Sequence, residues 1–374
     1  MRDFNPVQPI AIRRKSNRYA RTHSVTEPQM PLSSKPFLRS SRVLVRSLGA
    51  AAIALAGFAS SAEAEEQEIL NVSYDIAREL YAALNPVFAE NWQAETGETL
   101  TIKQSHAGSS KQARAILQGL QADLVTFNQV LDVQILADKG FVAQDWQQKL
   151  PNNASPYYSL PAFLVRGGNP KGIEDWDDLT RDDVELVFPN PKTSGNARYT
   201  YLAAYAYALD KFGGDEAAAQ EFVGKILSNV VVFDTGGRGA TTSFVERELG
   251  DVLITFEAEV ENIRASEDEG AFDRVVPAIS LLAEFPVALV DKVADARGSR
   301  AVGEAYLDFL YSKDAQEVIA GFNNRVHHPE VVAATADKFP DVRLITVEEV
   351  FGSWAEAQET HFGEGGTLDR VFTN

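Results

Sequence analysis

Val230-Val231-Val232-Phe233-Asp234-Thr235-Gly236-Gly237-Arg238-Gly239-Ala240-Thr241 is the stretch on which the fold reading rests. Residues 230–233 are β-branched and aromatic, the composition of a short strand. A polar, glycine-rich turn follows, and a helical pattern takes over at 242–249. The same order of strand, turn and helix recurs three times. Val72-Ser73-Tyr74-Asp75 precedes a helical 76–84. Gln104-Ser105-His106-Ala107-Gly108-Ser109-Ser110 precedes a helical 111–120, with apolar residues at 113, 116, 117 and 120. Pro191-Lys192-Thr193-Ser194-Gly195-Asn196 precedes a helical 197–209. Spacing of that kind marks one apolar helix face.

Working outward, other β-rich runs at 69–74, 100–105, 123–127, 163–166, 184–188, 252–256 and 287–290 alternate with helical segments. The alternation predicts an α/β fold with mostly parallel strands. Clusters of Pro and Gly at 160–170 and at Glu284-Phe285-Pro286 predict two changes of lobe. The expected division is 65–163 with 286–374 as the first lobe and 164–285 as the second. Two lobes also suit the length, because 374 residues exceed what one core usually holds.

The first 64 residues differ from the rest. They carry ten Lys or Arg and three acids, then an apolar run of about twelve residues at 48–59, then Ala62-Glu63-Ala64. This is the pattern of a cleavable secretory signal, with the mature chain starting at Glu65. The run is too short to span a hydrocarbon core of ~30 Å. Met1 and Met30 are the only methionines, and a start at Met30 gives a signal of ordinary length. Removing this leader's net +7 from a chain of −18 leaves −25. So acidic a surface argues against nucleic acid and anionic lipid as partners. The mature chain is expected to be periplasmic, monomeric and not inserted in the membrane.

Parallel α/β sheets bind ligands at the carboxyl ends of their strands. There the helix starts present unpaired N–H groups and the positive end of the helix dipole, which together hold anions. Glycine permits close backbone approach, and Ser or Thr adds hydroxyl donors. Each turn alone is equally an ordinary helix cap. Four of them, two in each expected lobe, point to an anion held in a cleft.

Competing chemistry lacks its residues. The chain has no cysteine, so disulfides, thiolate metal sites and a Cys nucleophile are excluded. It has no G-x-x-x-x-G-K-[ST] and no G-x-S-x-G, and Gly108 stands where an S-x-x-K nucleophile would be. His106, His327, His328 and His361 form no H-x-x-x-H pair. No catalytic residue, metal ligand or cofactor is expected.

These turns closely resemble the periplasmic sulfate- and thiosulfate-binding proteins. The resemblance is carried by Asn71-Val72-Ser73-Tyr74-Asp75 with Arg78-Glu79-Leu80, by 104–112, by Asn190-Pro191-Lys192-Thr193-Ser194-Gly195-Asn196-Ala197-Arg198-Tyr199, by 233–242 and by Gly250-Asp251-Val252-Leu253-Ile254-Thr255-Phe256-Glu257. It runs from about Ile69 to the C-terminus. It implies a type II periplasmic-binding-protein fold with hinged closure, and delivery of thiosulfate or sulfate to ABC permease subunits driven by a cytoplasmic ATPase.

Carried over by position, the resemblance places anion contacts at Asp75, Ser109, Ser194, Gly195, Asn196, Gly237 and Phe256. Asp75, Gly195, Asn196 and Gly237 would act mainly through backbone N–H. Sulfate binders resemble this chain but carry a Trp donor where Phe256 stands and a Gly where Asn196 stands. Thr193-Ser194-Gly195-Asn196, 254–257 and Phe127-Asn128-Gln129-Val130 instead look like the thiosulfate-binding branch. Ser110, Asn128, Gln129, Arg198 and Arg238 are expected around the site, with Arg78, Arg198 and Arg238 bracing its loops. A binder of another tetrahedral oxyanion such as molybdate is an alternative. A secreted sulfate- or phosphate-ester hydrolase is another, of a different class.

Overall fold

The computed structural model describes residues 66–339 and 341–373. The expected signal at 1–64, the Met30 start and the cleavage before Glu65 lie outside the described residues.

Two larger sheets organise the chain. The first contains β1 (Glu66–Ser73), β2 (Thr99–His106), β3 (Leu124–Thr126) and, from far along the chain, β12 (Val287–Leu289), in the order β12-β3-β1-β2. β1 is parallel to β2 and β3, and only β12 is antiparallel. α1 (Arg78–Thr96), α2 (Ser109–Leu117) and α3 (Val130–Asp138) follow the three parallel strands. The second sheet is β7-β6-β8-β5-β9, built from β5 (Pro161–Arg166), β6 (Leu186–Pro189), β7 (Val230–Asp234), β8 (Val252–Phe256) and β9 (Phe272–Val275). β6 is parallel to β7 and β8. After these three strands come α4 (Gly195–Lys211), the start of α6 (Gly237–Val245) and α7 (Glu257–Ser266), with α5 (Glu216–Ser228) between α4 and β7. The expected α/β alternation is present, and the helix expected at 76–84 extends to Thr96.

Side chains in the second sheet alternate between two cores, as the two-residue period of a strand demands. From β5, Phe163 and Val165 enter the core shared with the first sheet, and Ala162 and Leu164 enter a separate one. From β8, Val252, Ile254 and Phe256 join the first core and Leu253 the second. Such two-faced burial explains why these strands read as continuous apolar runs. Each large apolar side chain so buried contributes roughly 1.5–3 kcal/mol.

The chain passes between the sheets at two Pro-containing junctions. β4 (Tyr157–Ser159) leads directly into β5, and β11 (Ala283–Glu284) leads through Phe285-Pro286 into β12. These passages pair with each other: β4 lies between β11 and β13 (Arg325–Val326) in a small antiparallel sheet. Upstream, Asn152, Asn153 and Ala154 all have φ near +55°. That left-handed turn costs L-residues energy and is tolerated only where its surroundings impose it. Asn153 Nδ2 holds the turn to Glu284 Oε1 of the neighbouring passage at 3.1 Å.

The last part of the chain lies on the second sheet's helices. β14 (Arg343–Ile345) pairs with β10 (Ile279–Leu281). Trp354 meets Tyr199 of α4 edge-on at 4.8 Å, and His361 and Phe362 pack on Tyr201. Lys192 pairs with Asp369 of α8 (Thr367–Thr373). Among the described residues, no helix is long and apolar enough to cross a membrane.

Candidate functional site

All four turns singled out in the sequence stand at carboxyl ends of parallel strands: Tyr74-Asp75 after β1, 107–108 after β2, 190–194 after β6 and 235–236 after β7. They meet in two opposed pairs.

The first pair sets the β2 and β3 turns against the start of α4. A Cβ on Gly195 would stand 2.6 Å from Asn128 Oδ1 and 3.0 Å from Gln129 Cβ, so only glycine fits there unless its neighbours shift. A Cβ on Gly108 would lie 3.5 Å from the Thr193 carbonyl oxygen. Ser109 Oγ donates to Asn128 Oδ1 at 2.7 Å and accepts the Asn128 N–H at 3.2 Å, which ties the two turns of this wall together.

The second pair sets the β1 turn against the start of α6. The Arg238 N–H donates to Asp75 Oδ2 at 3.4 Å, and a Cβ on Gly236 would come within 2.7 Å of that oxygen. Gly237 faces Ile76. The pairs are linked on each wall. Thr193 Oγ1 donates to the Thr235 carbonyl at 3.0 Å, and His106 Nδ1 lies 3.2 Å from the Tyr74 carbonyl oxygen.

Helix starts therefore converge from both sides. In α2, α6 and the single helical turn at Asp75–Ala77 the N-cap residue itself offers no side-chain cap, and Asp75 takes only the Ile76 and Arg238 N–H groups. In α4, Ser194 Oγ accepts the Ala197 N–H at 3.4 Å, and its hydroxyl proton remains available. Uncapped first-turn N–H groups are strong donors in want of acceptors.

Ser109, Ser110, Asn128, Gln129, Ser194, Gly195, Asn196, Gly237 and Phe256 are all buried, and Asp75 is half-buried. Phe256 is fully buried, edge-on to Phe285 at 5.3 Å and to Tyr199 at 6.1 Å. Asn196 Nδ2 donates to Thr255 Oγ1 at 3.0 Å, joining the start of α4 to the end of β8. Two of the three arginines brace loops. Arg198 Nε donates to the Pro191 carbonyl at 3.1 Å, and Arg238 pairs with Glu79 on the opposite wall at 2.8 Å. Arg78 is exposed.

Sequence reasoning missed Asp132, Thr255 and Glu259. Both oxygens of Asp132 accept the Ser110 hydroxyl, at 2.7 and 3.0 Å. Burial pushes its carboxyl up from 3.8 to about 6, against the pull of Arg198, Ser110 and Arg114. Burial likewise lowers the Arg198 guanidinium, opposed by Asp132. Glu259 accepts from Thr241 Oγ1 at 2.9 Å. Burial pushes it up from 4.5 to about 7, with Thr241 and Arg238 opposing and Asp75 and Glu79 adding. Only the placement of Asp132 three residues beyond Gln129, on the buried face of α3, hinted at any of this. Among the described residues, no three His, Asp or Glu side chains are grouped to hold a metal ion.

The model of the bacterial extracellular solute-binding proteins matches residues 75–322. A thiosulfate-binding protein of Escherichia coli K12 is 59% identical over 306 residues, covering 81% of this chain and 90% of that protein. A sulfate-binding protein of Salmonella typhimurium is 46% identical over 308 residues, covering 82% and 94%. The solved sulfate-binding protein SubI from Mycobacterium tuberculosis superposes with a TM-score of 0.71 at 32% identity, covering 79% of this chain and all of that one.

Proposed function

Because the chain belongs to the bacterial extracellular solute-binding proteins, we propose that it captures thiosulfate and sulfate outside the cytoplasmic membrane and delivers them to an ABC importer. The observation that carries this reading is the convergence of uncapped helix starts from two opposed walls. Asp75, Gly195, Asn196 and Gly237 would donate backbone N–H groups, Ser194 its hydroxyl, and Ser109 its backbone N–H or, once turned away from Asn128, its hydroxyl, with Phe256 as a donor-free wall. Mostly neutral donors suit a carrier, which must release what it binds. A site of donors also disfavours hydrogen phosphate, whose O–H would lack an acceptor.

The fold supports a clamp of two lobes. One gathers the first sheet from both ends of the 66–326 stretch. The other gathers 161–281, with 343–373 lying on it. Contacts from both walls mean that the anion would favour the closed arrangement. We read the role as binding rather than catalysis, since the relatives are named for binding. Calorimetric titration with thiosulfate, sulfate, molybdate and phosphate tests the reading. Thiosulfate and sulfate should bind and phosphate should not. Binding of neither sulfur anion would end it. Periplasmic export rests on the leader at 1–64, and N-terminal sequencing of the exported protein should begin at Glu65. A start before residue 55 would contradict that processing.

A further inference from the structure

Two carboxamides at the junction of the walls keep one end unpaired. Gln129 Oε1 accepts the Leu131 N–H at 3.1 Å, capping α3. This bond fixes which way the amide points and leaves Nε2 as the free end. Gln129 is fully buried, and its Nε2 has no hydrogen-bond partner among the described residues. On the other wall Asn196 is 1% exposed. Its Nδ2 is spent on Thr255, and its Oδ1 has no partner. Gly195, the residue before Asn196, packs directly on Gln129 Cβ, which sets the two residues side by side across the walls. Buried polar groups are rarely left unpaired because an unmade hydrogen bond there is costly.

The two amides differ in freedom. A hydroxyl both donates and accepts. A half-turn of the Asn196 amide therefore keeps its bond to Thr255 while presenting Nδ2 in place of Oδ1. Gln129 has no such choice, because a backbone N–H can bond only its oxygen end. A fully deprotonated dianion offers acceptors alone, and it pairs with Gln129 as that residue stands and with Asn196 once turned.

We propose that Gln129 Nε2 and the turned Asn196 Nδ2 donate directly to the bound anion, one from each wall. This rests on the anion-binding reading above. The two side-chain donors would supplement the backbone donors at a site whose Phe256 wall supplies none.

The test uses the wild-type chain with Q129E and N196D. Glutamate keeps an oxygen for the Leu131 N–H, so the cap of α3 survives, and only the donor is replaced. By calorimetry at pH 8, Q129E should bind thiosulfate at least tenfold more weakly than wild type. Part of the loss should return at pH 5, where a protonated carboxyl can donate again. In 15N-labelled wild type, the side-chain NH2 signal that is absent from Q129E should move on addition of thiosulfate. An unmoved signal at saturation, or Q129E affinity within threefold of wild type at pH 8, overturns the Gln129 assignment. Unchanged binding by N196D overturns the Asn196 assignment. If wild type binds neither thiosulfate nor sulfate, the function itself fails and this proposal with it.

Discussion

Arg238 of α6 and Glu79 of α1 form an ion pair at 2.8 Å that joins the two walls of the cleft. Each side chain is about half exposed, so the pair adds at most ~1 kcal/mol to folding. Its placement matters more, because it forms only when the walls meet. Glu79→Gln should leave the melting temperature nearly unchanged and weaken anion binding about two- to fivefold. The effect should shrink as salt is raised. Titrations at two ionic strengths check it, and unchanged affinity at low salt would mean that the pair does not favour closure.

Ser194 has two tasks. Its Oγ caps α4 through the Ala197 N–H, and its hydroxyl proton is free for an anion. Ser194→Ala should therefore weaken binding by ~1–3 kcal/mol through the lost donor. It should also lower stability by ~1 kcal/mol through the lost cap. Ser194→Asn, which keeps a good cap but moves the donor, should restore stability without restoring affinity. Denaturant melts beside calorimetry separate the two terms. Full affinity in the alanine variant would remove Ser194 from the site.

Phe256 is enclosed by Phe285 and Tyr199. Phe256→Trp adds an indole N–H, which serves an oxygen better than the larger, weakly accepting sulfur of thiosulfate. The ratio of sulfate to thiosulfate affinity should rise by up to ~1–2 kcal/mol. Full burial means that the larger ring also strains its neighbours by ~1–3 kcal/mol. The ratio is thus the quantity to measure. An unchanged ratio in a folded variant would show that Phe256 does not set the choice of anion.

Glu259 makes stability depend on pH. Its folded value of about 7 lies above the 4.5 of a free Glu, so the folded chain holds a proton that the unfolded chain has lost. Stability conferred by that proton is complete below pH ~4.5 and is lost as pH rises to about 7, with a slope of up to ~1.4 kcal/mol per pH unit. Asp132, at about 6, adds to the fall over part of the window. Glu259→Gln keeps an acceptor for Thr241, and its stability should fall less between pH 5 and pH 7.5. Parallel urea melts across that range check this, and identical slopes would place the Glu259 carboxyl in an ordinary ionised state.

The sequence by itself determined the strand-turn-helix units, and with them the α/β class and the helix starts that could meet an anion. These are local properties: β-branched runs, glycine turns and helical spacing act within a dozen residues. Val230–Asp234 shows it, since that strand is read with no partner in view, although the helix expected at 242–249 in fact begins at Gly237 and ends at Val245. Only the tertiary structure decided which turns face each other. Nothing near Gly195 in the chain announces Asn128, 67 positions away, or announces Asp75 to Gly236. The same holds for the Asn196 bond to Thr255, for the burial that raises Asp132 and Glu259, and for the seat of 343–373 on α4 and α5. Periodicity tells that a face is apolar, but not which element will cover it. A carboxyl's ionisation depends on water excluded by residues distant in the chain.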